Sequence, residues 1–184
     1  MDAIILFILK VAWYYLPIGI ANMMPVVFRR LFNFLALPLD FNKTFLGQPI
    51  FGNHKTFRGL LFGTLAGGLI FIIQRHAFEV SDFFHNISIF DYSKISIWFG
   101  LVMGFGAILG DLIKSFFKRR FLRSPGRSWF PFDQIDYTLG GMILSFMFYV
   151  PESNIFVSVV ILGVLLHIAA NAIGRLLGFR RGVW

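Results

Sequence analysis

The sequence predicts an all-α, polytopic membrane protein of about five transmembrane helices, with its chemistry carried at the cytoplasmic loops. Three observations predict it. Of the 184 residues, 57% are hydrophobic and only 14% charged, whereas soluble domains sit nearer half and a quarter. Phe alone accounts for 25 residues, more than a water-exposed surface tolerates. Several apolar segments approach the roughly 20 residues that cross a bilayer.

Five such segments run about Ala3–Phe28, Thr56–Gln74, Ile95–Ile113, Tyr137–Val150 and Ile155–Leu177. In hydrocarbon each segment must satisfy its own backbone hydrogen bonds, so all five are assigned as helices. The first is read as a retained span: Asp2 replaces a basic leader, Lys10 interrupts the apolar run and no cleavage site closes it. Asn22 and Pro25 are expected to interrupt it. The fourth segment is short, so it either starts earlier, near Phe132, or ends inside protein. Between Arg75 and Lys94 the chain reads as an outer loop with an interfacial stretch at Phe83 and Phe84. No repeat or linker divides the chain, so residues 1–184 form one domain.

Loop charge orients the bundle. Fourteen of the 17 basic residues fall after the first segment, after the third or at the C-terminal end. Five spans put those three regions on one side, which the positive-inside rule makes cytoplasmic, with the N-terminus outside the cell membrane. The net charge of +8 thus follows topology and gives no reason to expect nucleic acid. Cys is absent, which excludes disulfides and thiolate metal sites.

Candidate chemistry concentrates at that same side. Asp111, Ser115 and Lys118 fall at i, i+4 and i+7 at the end of the third helix. Asp133 and Asp136 share a face if the fourth helix has begun there. Each residue alone is also explained by local ion pairing or topology. Together, three carboxylates beside many cations fit a Mg²⁺ site shared with substrate phosphates. Lys55, Thr56 and Arg58 enter the second helix, where free N–H groups and the dipole favour phosphate. His167, Asn171 and Arg175 form a polar stripe on the last helix, and interhelical hydrogen bonding explains His167 as well as a ligand does. Gly63 with Gly67, and Gly104, Gly106 and Gly110, suit close helix packing.

The wording Gly110-Asp111-Leu112-x-x-Ser115-x-x-Lys118-Arg119, followed by Asp133-x-x-Asp136, resembles the signature of the CDP-lipid cytidylyltransferases. Lys55-Thr56-x-Arg58-Gly59 and Pro131-Phe132-Asp133-Gln134-Ile135-Asp136 look more like the CDP-archaeol synthase branch. The chain reads Arg123-Ser124-Pro125-Gly126-Arg127 and lacks the His-Gly-Gly of the diacylglycerol branch. The resemblance implies transfer of CMP from CTP to 2,3-bis-O-(geranylgeranyl)-sn-glycero-1-phosphate, with release of pyrophosphate. It implies Mg²⁺ on Asp111, Asp133 and Asp136, and catalytic roles for these and Lys118. Lys55, Thr56, Arg58, Ser115, Arg119 and Asn171 would hold nucleotide or phosphate; Lys114 is assigned no role. Diacyl phosphatidic acid as acceptor, and a non-catalytic lipid-binding scaffold, stay open, and oligomeric state is not legible.

Overall fold

A computed structural model describes residues 2–121 and 129–176, with the side chains of Arg30 and 174–176 left aside. Arg123, Arg127, Arg180 and Arg181 lie outside the described residues. The long helices are α1 (Ala3–Val27), α2 (Phe57–Val80), α4 (Trp98–Phe121), α5 (Phe132–Ser145) and α6 (Ser153–Leu176). A short α3 (Asp82–Asn86) carries Phe83 and Phe84 in the connection between α2 and α4. At about 1.5 Å per residue, α1, α2, α4 and α6 are long and apolar enough to cross a membrane. The 14 residues of α5 span only about 21 Å, short of the roughly 30 Å hydrocarbon layer. The five expected helices are thus present, four of crossing length and the fourth as short as its sequence suggested, and the chain is a multi-pass membrane protein.

Helix boundaries follow local chemistry. The Thr56 side chain accepts the Gly59 N–H at 3.2 Å and caps α2, satisfying a donor that the first turn leaves unpaired. From there α2 continues six residues past Gln74, to Val80. Pro25 does not interrupt α1: the helix runs to Val27 with Pro17 and Pro25 inside it. The Pro25 ring packs where a Cβ at residue 59 would stand, so a glycine on α2 accommodates it. The fourth helix takes the earlier of its two expected starts, at Phe132.

Small residues set the spacing of the bundle. A Cβ on Gly67 would meet the backbone of Gly104 at 2.7 Å, and one on Gly106 would meet that of Gly141 at 3.0 Å. Gly100 and Gly104 thus bring α4 against α2, while Gly106 and Gly110 on another face bring it against α5. Such close approach replaces the hydrophobic drive that lipid cannot supply between helices. The outward faces stay apolar, as with Leu61, Leu65 and Leu69 on α2 and Ile161 and Leu165 on α6, which suits contact with acyl chains. Polar groups turn inward. Tyr15 and Tyr137 share a hydrogen bond at 2.9 Å, and Tyr137 donates on to the Gly163 carbonyl at 2.9 Å, tying α1, α5 and α6 together.

The two ends of the bundle differ. One is aromatic: Tyr14, Phe71, Tyr92 and Phe99 are almost fully buried, and Phe71 and Phe99 meet edge to face at 5.0 Å. The other is charged, and there the long connection 28–56 folds over the helix ends. It contains a two-stranded antiparallel hairpin, β1 (Thr44–Phe45) with β2 (Gln48–Pro49), which the sequence did not announce. α4 runs on ten residues beyond Asp111, to Phe121, and α5 begins beside that last stretch, where Asp133 meets Lys118. Asp111 thus lies about 15 Å along the helix from the end of α4, with Lys114 and Lys118 between.

Candidate active site

α4 supplies the central stripe of the site. Asp111, Lys114 and Lys118 fall at i, i+3 and i+7 and so share one face. The Lys114 ammonium lies 3.2 Å from Asp111, 2.9 Å from Asp133 and 3.0 Å from Asp136. Lys118 meets Asp133 at 2.7 Å, and Lys55, from the chain entering α2, pairs with Asp111. Asp133 also accepts the Trp129 N–H at 2.7 Å. Three elements far apart in sequence thus deliver three carboxylates and three ammonium groups to one place.

The close contact of α4 with α5 makes this meeting feasible. A Cβ at Gly110 would collide with the backbone carbonyl of Asp136, so residue 110 must lack a side chain for Asp136 to come this near. Because α5 begins at Phe132, Asp133 and Asp136 stand in its first turn and a half on one face. A helix N-terminus favours such carboxylates.

The donor set fits a hard divalent cation. The Asp136 side chain is 6% exposed; its Oδ2 meets the Lys114 ammonium at 3.0 Å, and its Oδ1 is buried without a hydrogen bond. Carboxylate oxygens of this kind are the ligands Mg²⁺ prefers. Among the described residues no three acidic or imidazole groups stand in metal-holding geometry, and the Lys114 ammonium lies among the three carboxylates.

Other predicted residues surround the cluster. Arg119 lies against Gly52, whose φ is +90° and where a Cβ would meet the guanidinium Nη2 at 2.8 Å. Arg58 is buried and donates to the Leu31 carbonyl at 2.9 Å and to Asn33 at 3.4 Å. It anchors the connection, while its Nε is buried without a partner. Thr56 serves as the α2 cap. Ser115 is buried on α4. Asn171 is half-buried on α6, and His167 faces Tyr137 with ring centroids 6.0 Å apart.

Sequence reasoning missed three residues. Lys114 sits at the centre, and its i+3 spacing from Asp111 was the available signal. Arg120 donates to the Ile50 carbonyl at 3.2 Å and stacks on Phe116, 3.5 Å from the ring centroid, pinning the hairpin connection to α4. Asp40 is buried and accepts N–H groups from Asn42 at 3.0 Å and from Phe51 and Gly52 at 2.9 Å. Burial pushes its carboxyl upward, but these donors outweigh that and hold it below the usual carboxylate range.

With this geometry established, comparison with known proteins places the chain. Residues 4–184 match the family model described as CarS-like, CDP-archaeol synthase. A CDP-archaeol synthase of Thermofilum pendens is 35% identical over 92% of this chain and 78% of its own length. One from Methanococcus maripaludis is 31% identical over the full length of both. A solved structure, described as an intramembrane enzyme for archaeal membrane lipids biosynthesis, superposes with a TM-score of 0.67 at 28% identity. That match covers 93% of this chain and 95% of the other. The chain belongs to the CDP-archaeol synthase family.

Proposed function

We infer that this chain transfers CMP from CTP to 2,3-bis-O-(geranylgeranyl)-sn-glycero-1-phosphate, giving CDP-archaeol in its unsaturated form and pyrophosphate. One observation carries the reading. A member of this family gathers Asp111, Asp133 and Asp136 with Lys55, Lys114 and Lys118 at one end of a membrane bundle.

A lipid phosphate oxygen attacks the α-phosphorus of CTP in line. The new P–O bond forms as the bond to the β-phosphate bridge breaks, and pyrophosphate leaves with that electron pair. The attacking phosphomonoester is already anionic near neutral pH, so no Ser, Cys or His nucleophile is required. The barrier is charge repulsion and positioning, which fixed cations lower. Lys55, Lys118 and Arg119 face the triphosphate and the lipid phosphate. Arg58 keeps its buried Nε–H for a phosphate at the α2 N-terminus, where Thr56 holds the first turn. Ser115 and Asn171 hydrogen-bond nucleotide or phosphate oxygens. Asp111, Asp133 and Asp136 would hold Mg²⁺, which supplies positive charge to the phosphate oxygens.

The charged end faces the cytoplasm and the N-terminus faces outward across the cell membrane. Support comes from the concentration of Lys and Arg in the connections at that end, and from the location of CTP, a cytoplasmic nucleotide.

Transfer of labelled CMP from CTP in detergent with Mg²⁺ tests the reading. Purified protein is offered the geranylgeranyl ether lipid phosphate and diacyl phosphatidic acid in parallel. Label on the ether lipid alone is expected. Preference for phosphatidic acid moves the assignment to the diacyl acceptor. Loss of both transfer and CTP binding in folded protein overturns it and leaves a lipid-binding scaffold.

A further inference from the structure

The three carboxylates of the cluster are not equivalent, and neither are the three ammonium groups. Lys55 pairs with Asp111 alone and Lys118 with Asp133 alone. Lys114 touches all three, and for Asp136 it is the cation within ion-pair distance among the described residues. Its Nζ takes Oδ1 of Asp111, Oδ1 of Asp133 and Oδ2 of Asp136 at 2.9–3.2 Å. Those oxygens therefore point at a single spot between α4 and α5. That spot is where a divalent cation ligated by the same carboxylates would have to stand, since Mg²⁺–oxygen bonds of about 2.0–2.1 Å leave no room for an ammonium among the same oxygens.

Charge points the same way. Three carboxylates against three ammonium groups leave the cluster neutral by itself. A divalent cation added to it without other change would bring two uncompensated positive charges into a site whose Lys114 and Asp136 side chains are only 14% and 6% exposed. Uncompensated charge in a low-dielectric site is costly. A triphosphate arriving with the metal supplies the missing negative charge and offers displaced ammonium groups a new partner.

We propose that Lys114 is a positioning residue that competes with the divalent cation for the oxygens of Asp111, Asp133 and Asp136, so that the metal binds strongly only together with the nucleotide. Lys114 acts as an internal substitute cation. It holds the carboxylates converged, keeps free metal from loading the site alone, and turns to the incoming phosphates when the metal–nucleotide complex takes its place. This inference rests on the metal reading of the three aspartates.

The test is Mn²⁺ binding to detergent-purified protein, followed by the electron paramagnetic resonance of free Mn²⁺, with and without CTP and with no lipid acceptor, each CTP titration read against Mn²⁺ and CTP in protein-free buffer. In the unaltered protein CTP is expected to raise Mn²⁺ affinity by at least about tenfold. Lys114→Gln and Lys114→Met, each removing the competing charge, are expected to bind Mn²⁺ without CTP at least about tenfold more tightly than the unaltered protein. Both should melt at lower temperature without metal and recover more than the unaltered protein on adding Mn²⁺, a gain that a purely structural role for Lys114 would not produce. Lys114→Arg keeps the charge and should keep the weak metal-alone binding. If CTP brings Mn²⁺ to the unaltered protein but neither neutral variant binds the metal more tightly alone, the role of Lys114 is overturned and the metal site stands. If no variant binds Mn²⁺ under any condition, the metal reading falls and this proposal with it. Should neither neutral variant fold, equal Mn²⁺ affinity of the unaltered protein with and without CTP overturns the proposal, and a large difference supports it.

Discussion

Asp40 and Gly52 are joined by a 2.9 Å hydrogen bond from the Gly52 N–H to the Asp40 carboxylate, and that bond sets where the charges of the site can reach. Gly52 lies under Arg119, and three residues on, Lys55 pairs with Asp111. A buried side chain in an irregular connection thus stands behind two cations of the charged end, Arg119 and Lys55, without joining their cluster.

Replacing Asp40 with Asn turns an acceptor for three N–H groups into one that presents an NH₂ to them. A loss of about 1–3 kcal/mol is expected, the range for buried donors left unpaired. The sign with pH follows from the direction of the shift. A carboxyl held below its unfolded value stabilises the fold above that unfolded value, and the contribution disappears as pH falls through the folded one. The difference in melting temperature between the unaltered protein and Asp40→Asn should therefore be full at neutral pH and shrink on acidification below about pH 4. A constant difference down to low pH would show that the carboxylate charge is not what matters.

Gly110→Ala places a methyl against the Asp136 carbonyl. Two backbones cannot yield as a side-chain tip can, so α5 must move away and take Asp133 and Asp136 from Lys114. Transfer activity should fall by roughly a hundredfold, as ångström-scale misplacement of reacting groups does. Cytidylyl transfer and thermal melting measured together would separate this from general unfolding.

Asp133→Asn and Asp136→Asn, made singly, each remove one charge from the proposed metal ligands while keeping side-chain shape. Turnover should drop by about 10²–10³-fold, the usual cost of losing one preorganised electrostatic group. Unaltered turnover with unaltered metal dependence in either variant would remove that residue from its assigned role.

Chelation with EDTA should abolish transfer, and added Mg²⁺ should restore it. Ca²⁺ should restore it poorly, because its longer bonds and larger coordination number suit a wider cage. Full activity in the chelator would exclude the metal reading.

Much of this was legible before any coordinates, for a physical reason. Against an apolar background a charge is costly, so Asp111, Asp133 and Asp136 stood out, and loop cations marked one end of the bundle. The start of α5 at Phe132 was one of two alternatives that length alone could not separate. Lys114 was assigned no role because a local ion pair with Asp111 explains it in sequence, and only the packing of α5 on α4 brings Asp133 and Asp136 to the same ammonium. Asp40 escaped because its partners are backbone N–H groups in a connection without periodicity, where sequence carries no repeat to read. Pro25 misled for a different reason: the accommodation of its ring by Gly59 is a contact between helices, invisible within either one.

The ten residues by which α4 outruns Asp111 bear on which reactant must travel. Lifting a lipid with two long chains toward an aqueous site would cost about 0.8 kcal/mol for every methylene exposed, a sum that grows with chain length. A triphosphate is already at home in water, and Lys118 and Lys114 mark a line of positive charge along α4 toward Asp111. A nucleotide drawn along that line would make the journey and let the lipid stay in its leaflet.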